Sequence, residues 1–308
     1  MNTKCLESIA RTLPPFVTRI GKRFAVYKRG NDQLKACKDG YAKFGHLYKQ
    51  PVLFIAGLPK SGSTWIEKMV SSYNGYHEYL LPAIAKHELR TGGSHDFEMP
   101  EGMFNSLQNM LVLTKMHSHG SVHNVNILEK AGIRYVVLHR DLRDVAVSYH
   151  FYVCNTPWHP EYAFHKNQSV QEGLRIFGER MLPAYMNWVR LWRNNANPEH
   201  SVQIRYEEML EDPFKGMTKI ATLFELDNSP DTIKRIVDAH SFKQMSGGRD
   251  SGAESNSAFA RKGIAGDWKN HFTKDVKEQY GKIIADFLIE TTDELDDTWI
   301  TSESDISL

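Results

Sequence analysis

What the chain lacks narrows its class first. Cysteine is scarce: three in 308 residues, Cys5, Cys37 and Cys154, scattered along the sequence. So sparse a set excludes a disulfide framework and points to a reducing, cytoplasmic setting. No uninterrupted apolar run approaches the roughly 18 residues that a membrane span requires, and no hydrophobic core with a cleavage site marks a targeting peptide. An excess of one charge is missing too. Lysine and arginine number 38 against 37 acids, a formal net charge of +1, so nothing favours a nucleic-acid backbone as partner. Internal repeats and true low-complexity tracts are absent.

What is present fits a single α/β domain with a central, mostly parallel sheet flanked by helices. At 308 residues the chain can bury a substantial core, and apolar strands alternate with amphipathic helices, with residues 174–192 and 274–288 read as helices. The most informative segment is Val52-Leu53-Phe54-Ile55-Ala56 followed by Gly57-Leu58-Pro59-Lys60-Ser61-Gly62-Ser63-Thr64-Trp65. It reads as a buried strand, a tight turn carrying glycine, and a helix starting near Thr64. Such a unit aims backbone N–H groups and a positive helix end at one point, which suits a phosphate. The nucleotide-triphosphatase loop needs lysine where Ser63 stands; here the lysine is three residues earlier, at Lys60.

Two further segments carry basic groups to strand or turn ends. Tyr135 to Leu138 form a second apolar strand, with Arg140 at its carboxyl end, where open α/β sheets bind ligands, and Ser148 eight residues on along a helix. An arginine fork and a hydroxyl suit one phosphate; the plain alternative is an arginine paired with Asp144 or Asp141. The third segment is Phe259-Ala260-Arg261-Lys262-Gly263-Ile264-Ala265-Gly266-Asp267-Trp268-Lys269-Asn270-His271-Phe272. Two adjacent cations before a glycine let side chains and a backbone N–H converge on an anion.

Together these segments resemble the cytosolic sulfotransferases, which take a sulfuryl group from 3′-phosphoadenosine-5′-phosphosulfate (PAPS) and release adenosine-3′,5′-bisphosphate (PAP). The likeness spans roughly residues 50 to 275. The resemblance implies that Lys60, Ser61, Gly62, Ser63 and Thr64 hold the 5′-phosphosulfate, and that Arg140, Ser148, Arg261, Lys262 and Gly263 hold the 3′-phosphate. It further implies that Trp65, Tyr206 (in Tyr206-Glu207-Glu208-Met209), Ser241, Phe242, Met245 and Phe259 contact the nucleotide. Stacking on a base is worth about 1–3 kcal/mol.

Lys115-Met116-His117 resembles the family's catalytic element, with His117 as the base and Lys60 and Lys115 stabilising the transferring group. An acceptor hydroxyl is a poor nucleophile until a base removes its proton. The expected reaction is an in-line displacement onto a hydroxyl or amine of a small molecule, with no metal. His117 and His119 stand two apart and could share a face, but no nearby Cys, Asp or Glu completes a metal set. His119 departs from the proline of the best-known members and is a candidate for the acceptor pocket. Acceptor loops are expected in residues 76–93 and 154–167, where His77, Tyr79, His87, Trp158 and His165, with His150 just before the second stretch, supply histidines and aromatics.

The expected division is a helical arm over residues 1–48, the sulfotransferase domain over 49–290 and an acidic, partly frayed tail over 291–308. In the arm, Phe16, Val17, Ile20 and Phe24 follow helical spacing after Pro14-Pro15 and read as a helix packed on the domain or on a neighbouring subunit. Residues 246–257, small and polar, read as a loop that closes over nucleotide. The family's dimer segment is altered: Lys269, Thr273 and Glu278 are present, but Lys274 takes the valine position, so that dimer is not assumed. The alternative function is a P-loop kinase or nucleotide hydrolase using ATP and magnesium, which would leave Arg261-Lys262-Gly263 without a role.

Overall fold

The computed structural model describes residues 15–301 apart from positions 92, 158, 259 and 293, and in the first helix its side chains from residue 28 onward. Phe16, Val17, Ile20, Phe24, Trp158 and Phe259 therefore fall outside the described side chains. Five strands form one all-parallel sheet in the order β2-β3-β1-β4-β5, with β1 Val52–Gly57, β2 His77–Glu78, β3 Val112–Met116, β4 Tyr135–His139 and β5 Ser201–Arg205. All six residues of β1 are buried, as a strand covered on both faces requires.

Strand alternation divides the core into two layers. Leu53 and Ile55 point to one face and pack with Ile66, Met69 and Val70 of the helix Ser63–Val70 and with Met217 and Ile220 of the helix Pro213–Leu223. Phe54 and Ala56 point to the other, among Val145 and Ala146 of the helix Leu142–Cys154 and Trp188 and Trp192 of the helix Leu182–Asn195. Each such side chain contributes about 1.5–3 kcal/mol on burial. The result is three layers, with β1 at the centre of the sheet.

Several expectations about elements change. Residues 174–192 are not one helix: Val170–Arg180 and Leu182–Asn195 meet at Met181. Pro183, at the start of the second helix, has no N–H to donate back and would clash with the preceding turn. The helix Lys274–Thr291 runs past residue 288, and beyond it Trp299, 5% exposed, is buried against Trp268. The first helix, Pro15–Phe44, packs through its later turns: Cys37 is fully buried, Arg29 pairs with Glu78 at 2.7 Å, and Gln33 accepts the Leu80 N–H.

Candidate functional site

One cavity of about 360 Å³ opens at the carboxyl ends of β1, β3, β4 and β5. The four strands each deliver a group there: Lys60 after β1, His117 after β3, Arg140 after β4 and Tyr206 after β5. Of the residues expected to bind or react, Lys60, Gly62, Ser63, Thr64, Trp65, Lys115, His117, Arg140, Ser148, Tyr206, Phe242, Met245, Arg261, Lys262 and Gly263 line this cavity. Ser61 and Ser241 are not among its lining residues.

The turn after β1 is built for close approach. The Ser61 hydroxyl donates to the carbonyls of Leu58 (2.6 Å) and Leu138 (3.2 Å), so it ties the turn to β1 and β4 rather than lining the cavity. Gly62 has φ +86°, and a Cβ there would strike the Tyr206 ring. The helix then starts at Ser63, one residue earlier than expected; the Trp65 N–H already donates to the Gly62 carbonyl (2.8 Å), while Ser63 and Thr64 before it line the cavity. Lys60 itself holds φ +68°, and its ammonium sits 4.1 Å from the centroid of the Tyr152 ring. Burial, then the neighbouring guanidinium groups of Arg140 and Arg261, bring its pKa down to about 7.

On β3, Lys115 donates to Glu67 at 2.6 Å and to the Thr64 hydroxyl at 3.0 Å. This pairing spans the loop helix and the base strand. Glu67 is buried, and that burial raises its pKa against the pull of Lys115.

His117 lies just past the end of β3. Its Nδ1 is 2.5 Å from the Gly57 carbonyl oxygen, which can only accept; Nδ1 therefore carries the proton and Nε2 presents a lone pair. The Trp188 indole donates to the His117 carbonyl at 2.6 Å, fixing the backbone as well. Burial lowers the pKa of His117, opposed by the Gly57 bond and by Glu88, while Lys115 and Lys60 lower it further.

A second cationic group gathers around Asp144 and Asp267. Arg140 donates to Asp144 (3.1 Å) and to the Ile264 carbonyl (2.8 Å), and stacks 4.3 Å over the Tyr206 centroid. Arg140 thus pairs with Asp144, as the plain alternative had it, and also lines the cavity. Asp144, 1% exposed, also accepts the N–H groups of Gly266 (2.8 Å) and Trp268 (2.9 Å). Asp267 receives Arg261, Lys262 (2.5 Å) and Asn270 (2.9 Å). Burial alone would raise its pKa, but hydrogen bonds from His271, Arg261, Lys262 and Asn270 hold it well below the usual carboxylate range. Despite these ties, the buried Nε–H groups of both Arg140 and Arg261 have no acceptor among the described residues. Two unanswered guanidinium donors on one cavity fit an anion.

An aromatic wall stands between them. Trp65 and Tyr206 meet edge-on at 6.2 Å, the Trp65 indole donates to the His240 carbonyl at 2.7 Å, and Gly263, φ +69°, lies so close to Phe242 that a Cβ would strike its ring. Tyr152, Leu210, His240 and Ile264 also line the cavity and were not singled out from sequence; Leu210 and Ile264 carry no signal that could have found them. Glu67 was likewise missed, and Asp144 was named only as a partner for Arg140, because an acid's organising role depends on what it faces.

The acceptor-side expectations are met less fully. His119 does not line the cavity; its Nε2 is 2.9 Å from Glu98. His77, Tyr79, His87, His150 and His165 do not line it either. His150 and His165 are buried against each other, their Nδ1 atoms 3.1 Å apart, so they join the helix Tyr162–His165 to the helix Leu142–Cys154. Among the described residues no three of His, Cys, Asp and Glu are grouped to hold a metal.

A family model for the sulfotransferase domain matches residues 50–296. Human sulfotransferase 1E1 is 27% identical over 247 residues, covering 75% of this chain and 81% of that relative. Sulfotransferase 1B1 of Canis lupus familiaris is 28% identical, covering 75% and 81%, and cytosolic sulfotransferase 6 of Arabidopsis thaliana is 23% identical, covering 77% and 78%. Among solved structures, mouse sulfotransferase SULT7A1 complexed with PAP matches with a TM-score of 0.58 at 18% identity, covering 79% of this chain and 84% of that one. Retinol dehydratase in complex with retinol and PAP matches with a TM-score of 0.58 at 19% identity, covering 82% and 87%. These structural likenesses establish the fold.

Proposed function

The chain belongs to the sulfotransferase family, and we propose that it moves a sulfuryl group from PAPS to a hydroxyl or amine of a small molecule by in-line displacement. The single observation that carries the choice of donor is the pair of buried arginine Nε–H groups, on Arg140 and Arg261, unanswered on one cavity. It is supported by structural neighbours complexed with PAP. A 3′-phosphate supplies the acceptors these donors need, with Ser148 and Lys262 beside them. The turn of Lys60, Gly62, Ser63 and Thr64 suits the 5′-phosphosulfate, and Trp65, Phe242 and Met245 offer a surface for the purine.

In this reading the Nε2 of His117 takes the acceptor proton as the new S–O bond forms. The bond from sulfur to the 5′-phosphate oxygen breaks, and PAP leaves. Lys60, in its charged form, meets the charge growing on the bridging oxygen. Lys115, anchored by Glu67 and Thr64, holds the transferring group from the side of the base. A kinase or hydrolase reading falls away, since position 63 is serine and the Arg261-Lys262-Gly263 segment is part of the cavity wall. A cytosolic setting belongs to the same proposal, supported by the name of the Arabidopsis relative; among the described residues no helix is long and apolar enough to cross a membrane.

The test is equilibrium binding of PAP against ADP with magnesium. Charge-assisted hydrogen bonds are worth about 1.5–3 kcal/mol each, so PAP should bind at least about 100-fold tighter, without metal. Equal or better binding of ADP–magnesium overturns the assignment.

A further inference from the structure

The stretch beyond the helix Lys274–Thr291 is joined to the arginine end of the cavity by one buried side chain. Arg143 is 2% exposed and stands in the first turn of the helix Leu142–Cys154, one residue before Asp144. Its guanidinium lies 3.9 Å from the Trp268 centroid and 4.8 Å from the Trp299 centroid, held between two indoles. Asp141 at 2.6 Å and Glu294 at 2.5 Å pair with it. Trp299 meets Trp268 edge-on at 5.8 Å. A buried arginine needs such partners, because an uncompensated charge there is costly; one carboxylate and one aromatic face come from the C-terminal stretch.

None of these groups lines the cavity, but Trp268 bonds Asp144, one of the acids that organise it. Trp268 supplies the floor under Arg143 with its ring and an N–H to Asp144 with its backbone. Asp144 also bonds Arg140 and the Gly266 N–H, and Asp267, between Gly266 and Trp268, holds Arg261 and Lys262. The turn around Lys60 is anchored elsewhere, through Ser61 to Leu58 and Leu138.

We propose that residues 294–301 form a strap that is a working part of the donor site, with Glu294 and Trp299 as positioning residues that fix Arg143 and, through it, the turn that grips the 3′-phosphate. The proposal rests on the reading of Arg140 and Arg261 as the 3′-phosphate grip. Among the described contacts the strap reaches the site through Arg143 and Trp268, on the side of Asp144 and Asp267, so its loss is expected to lower affinity for the 3′-phosphate more than for the 5′ end. A role in overall stability would instead weaken every nucleotide alike.

The test measures binding of PAP and of adenosine 5′-monophosphate, which lacks the 3′-phosphate, to the full chain. Trp299→Ala is expected to weaken PAP about tenfold, leave the monophosphate within about twofold, and be rescued in large part by Trp299→Phe. Glu294→Gln removes one charge without opening a cavity and remains readable if Trp299→Ala does not fold; its expected loss is about threefold, again for PAP alone. PAP affinity unchanged in the folded variants, or both ligands weakened equally, overturns the strap's role. A wild-type protein that binds PAP no better than the monophosphate overturns the 3′-phosphate assignment, and the strap proposal with it.

Discussion

His117 and Gly57 are joined by a hydrogen bond of 2.5 Å, from Nδ1–H to the carbonyl at the end of β1. The bond sets the tautomer, so His117 and the turn carrying Lys60 hang from the same strand end. His117→Ala should therefore lower kcat by about 100-fold or more, the usual worth of a general base being about 10² to 10⁴. PAP affinity should change by less than about threefold. Single-turnover rates with labelled PAPS and calorimetric PAP binding check both halves; near-native turnover removes His117 as the base.

Lys60 gives a pH signature. In the free protein its pKa is down to about 7, through burial and the adjacent Arg140 and Arg261. Above that pH the ammonium is largely neutral, and an anionic ligand draws a proton back onto it. PAP binding should take up close to one proton at about pH 8 and almost none at about pH 6. Calorimetry in two buffers of different ionisation enthalpy reads the number, and Lys60→Met should abolish the uptake.

Gly62→Ala sets a side chain against both its φ of +86° and the Tyr206 ring. The backbone strain alone costs about 1–2 kcal/mol, and the displaced tyrosine shifts the wall under Arg140. PAP affinity should fall at least about tenfold, while far-ultraviolet circular dichroism stays unchanged. Retained affinity would mean that the turn reshapes without cost.

Arg249 stitches the loop 246–257 to the cavity wall: its guanidinium donates to the carbonyls of Ala253 (2.8 Å), Arg261 (2.7 Å) and Ala260. We expect the loop to close over nucleotide. Arg249→Ala should speed limited proteolysis there about tenfold in the absence of nucleotide, with PAP restoring part of the protection. Cleavage that ignores both the substitution and PAP argues against closure.

Acid should destabilise the fold through His139. Burial, then Arg205 and Arg193, depress its pKa to about 3 from an ordinary 6.5. Between those values the unfolded imidazole binds a proton that the folded one refuses, so stability falls as pH drops from about 6.5, by up to about 1.4 kcal/mol per unit. Denaturation midpoints across that window, compared with His139→Gln, isolate the contribution: the variant's profile should be flatter.

Local signals carried most of the donor side. The apolar runs before Lys60 and Arg140 are continuous because both faces of a parallel strand are covered, and the residues after them necessarily emerge at the sheet's carboxyl edge. Organising acids were hidden: Glu67 reads as an ordinary exposed helix residue until Lys115, 48 positions away, is brought to it. Trp299 likewise reads as part of an acidic tail until Arg143 and Trp268 appear beneath it. The split at Met181 was legible in Pro183 and was overridden by the apolar periodicity on either side. The acceptor side was least readable: His150 and His165 pack on each other and His87 on Phe97, and a sequence does not separate that from lining a cavity.

The place of β1 between β3 and β4 makes the sheet a ruler. His117 follows one neighbour and Arg140 follows the other, and each of those strands lies a single ladder spacing of about 4.8 Å from β1. That separation is set by main-chain hydrogen bonds, which do not depend on side-chain identity. The dimension on which alignment of proton acceptor and donor depends is thus the one least exposed to sequence drift, in a chain that keeps only about a quarter of its residues in common with relatives such as the 1E1 and 1B1 sulfotransferases.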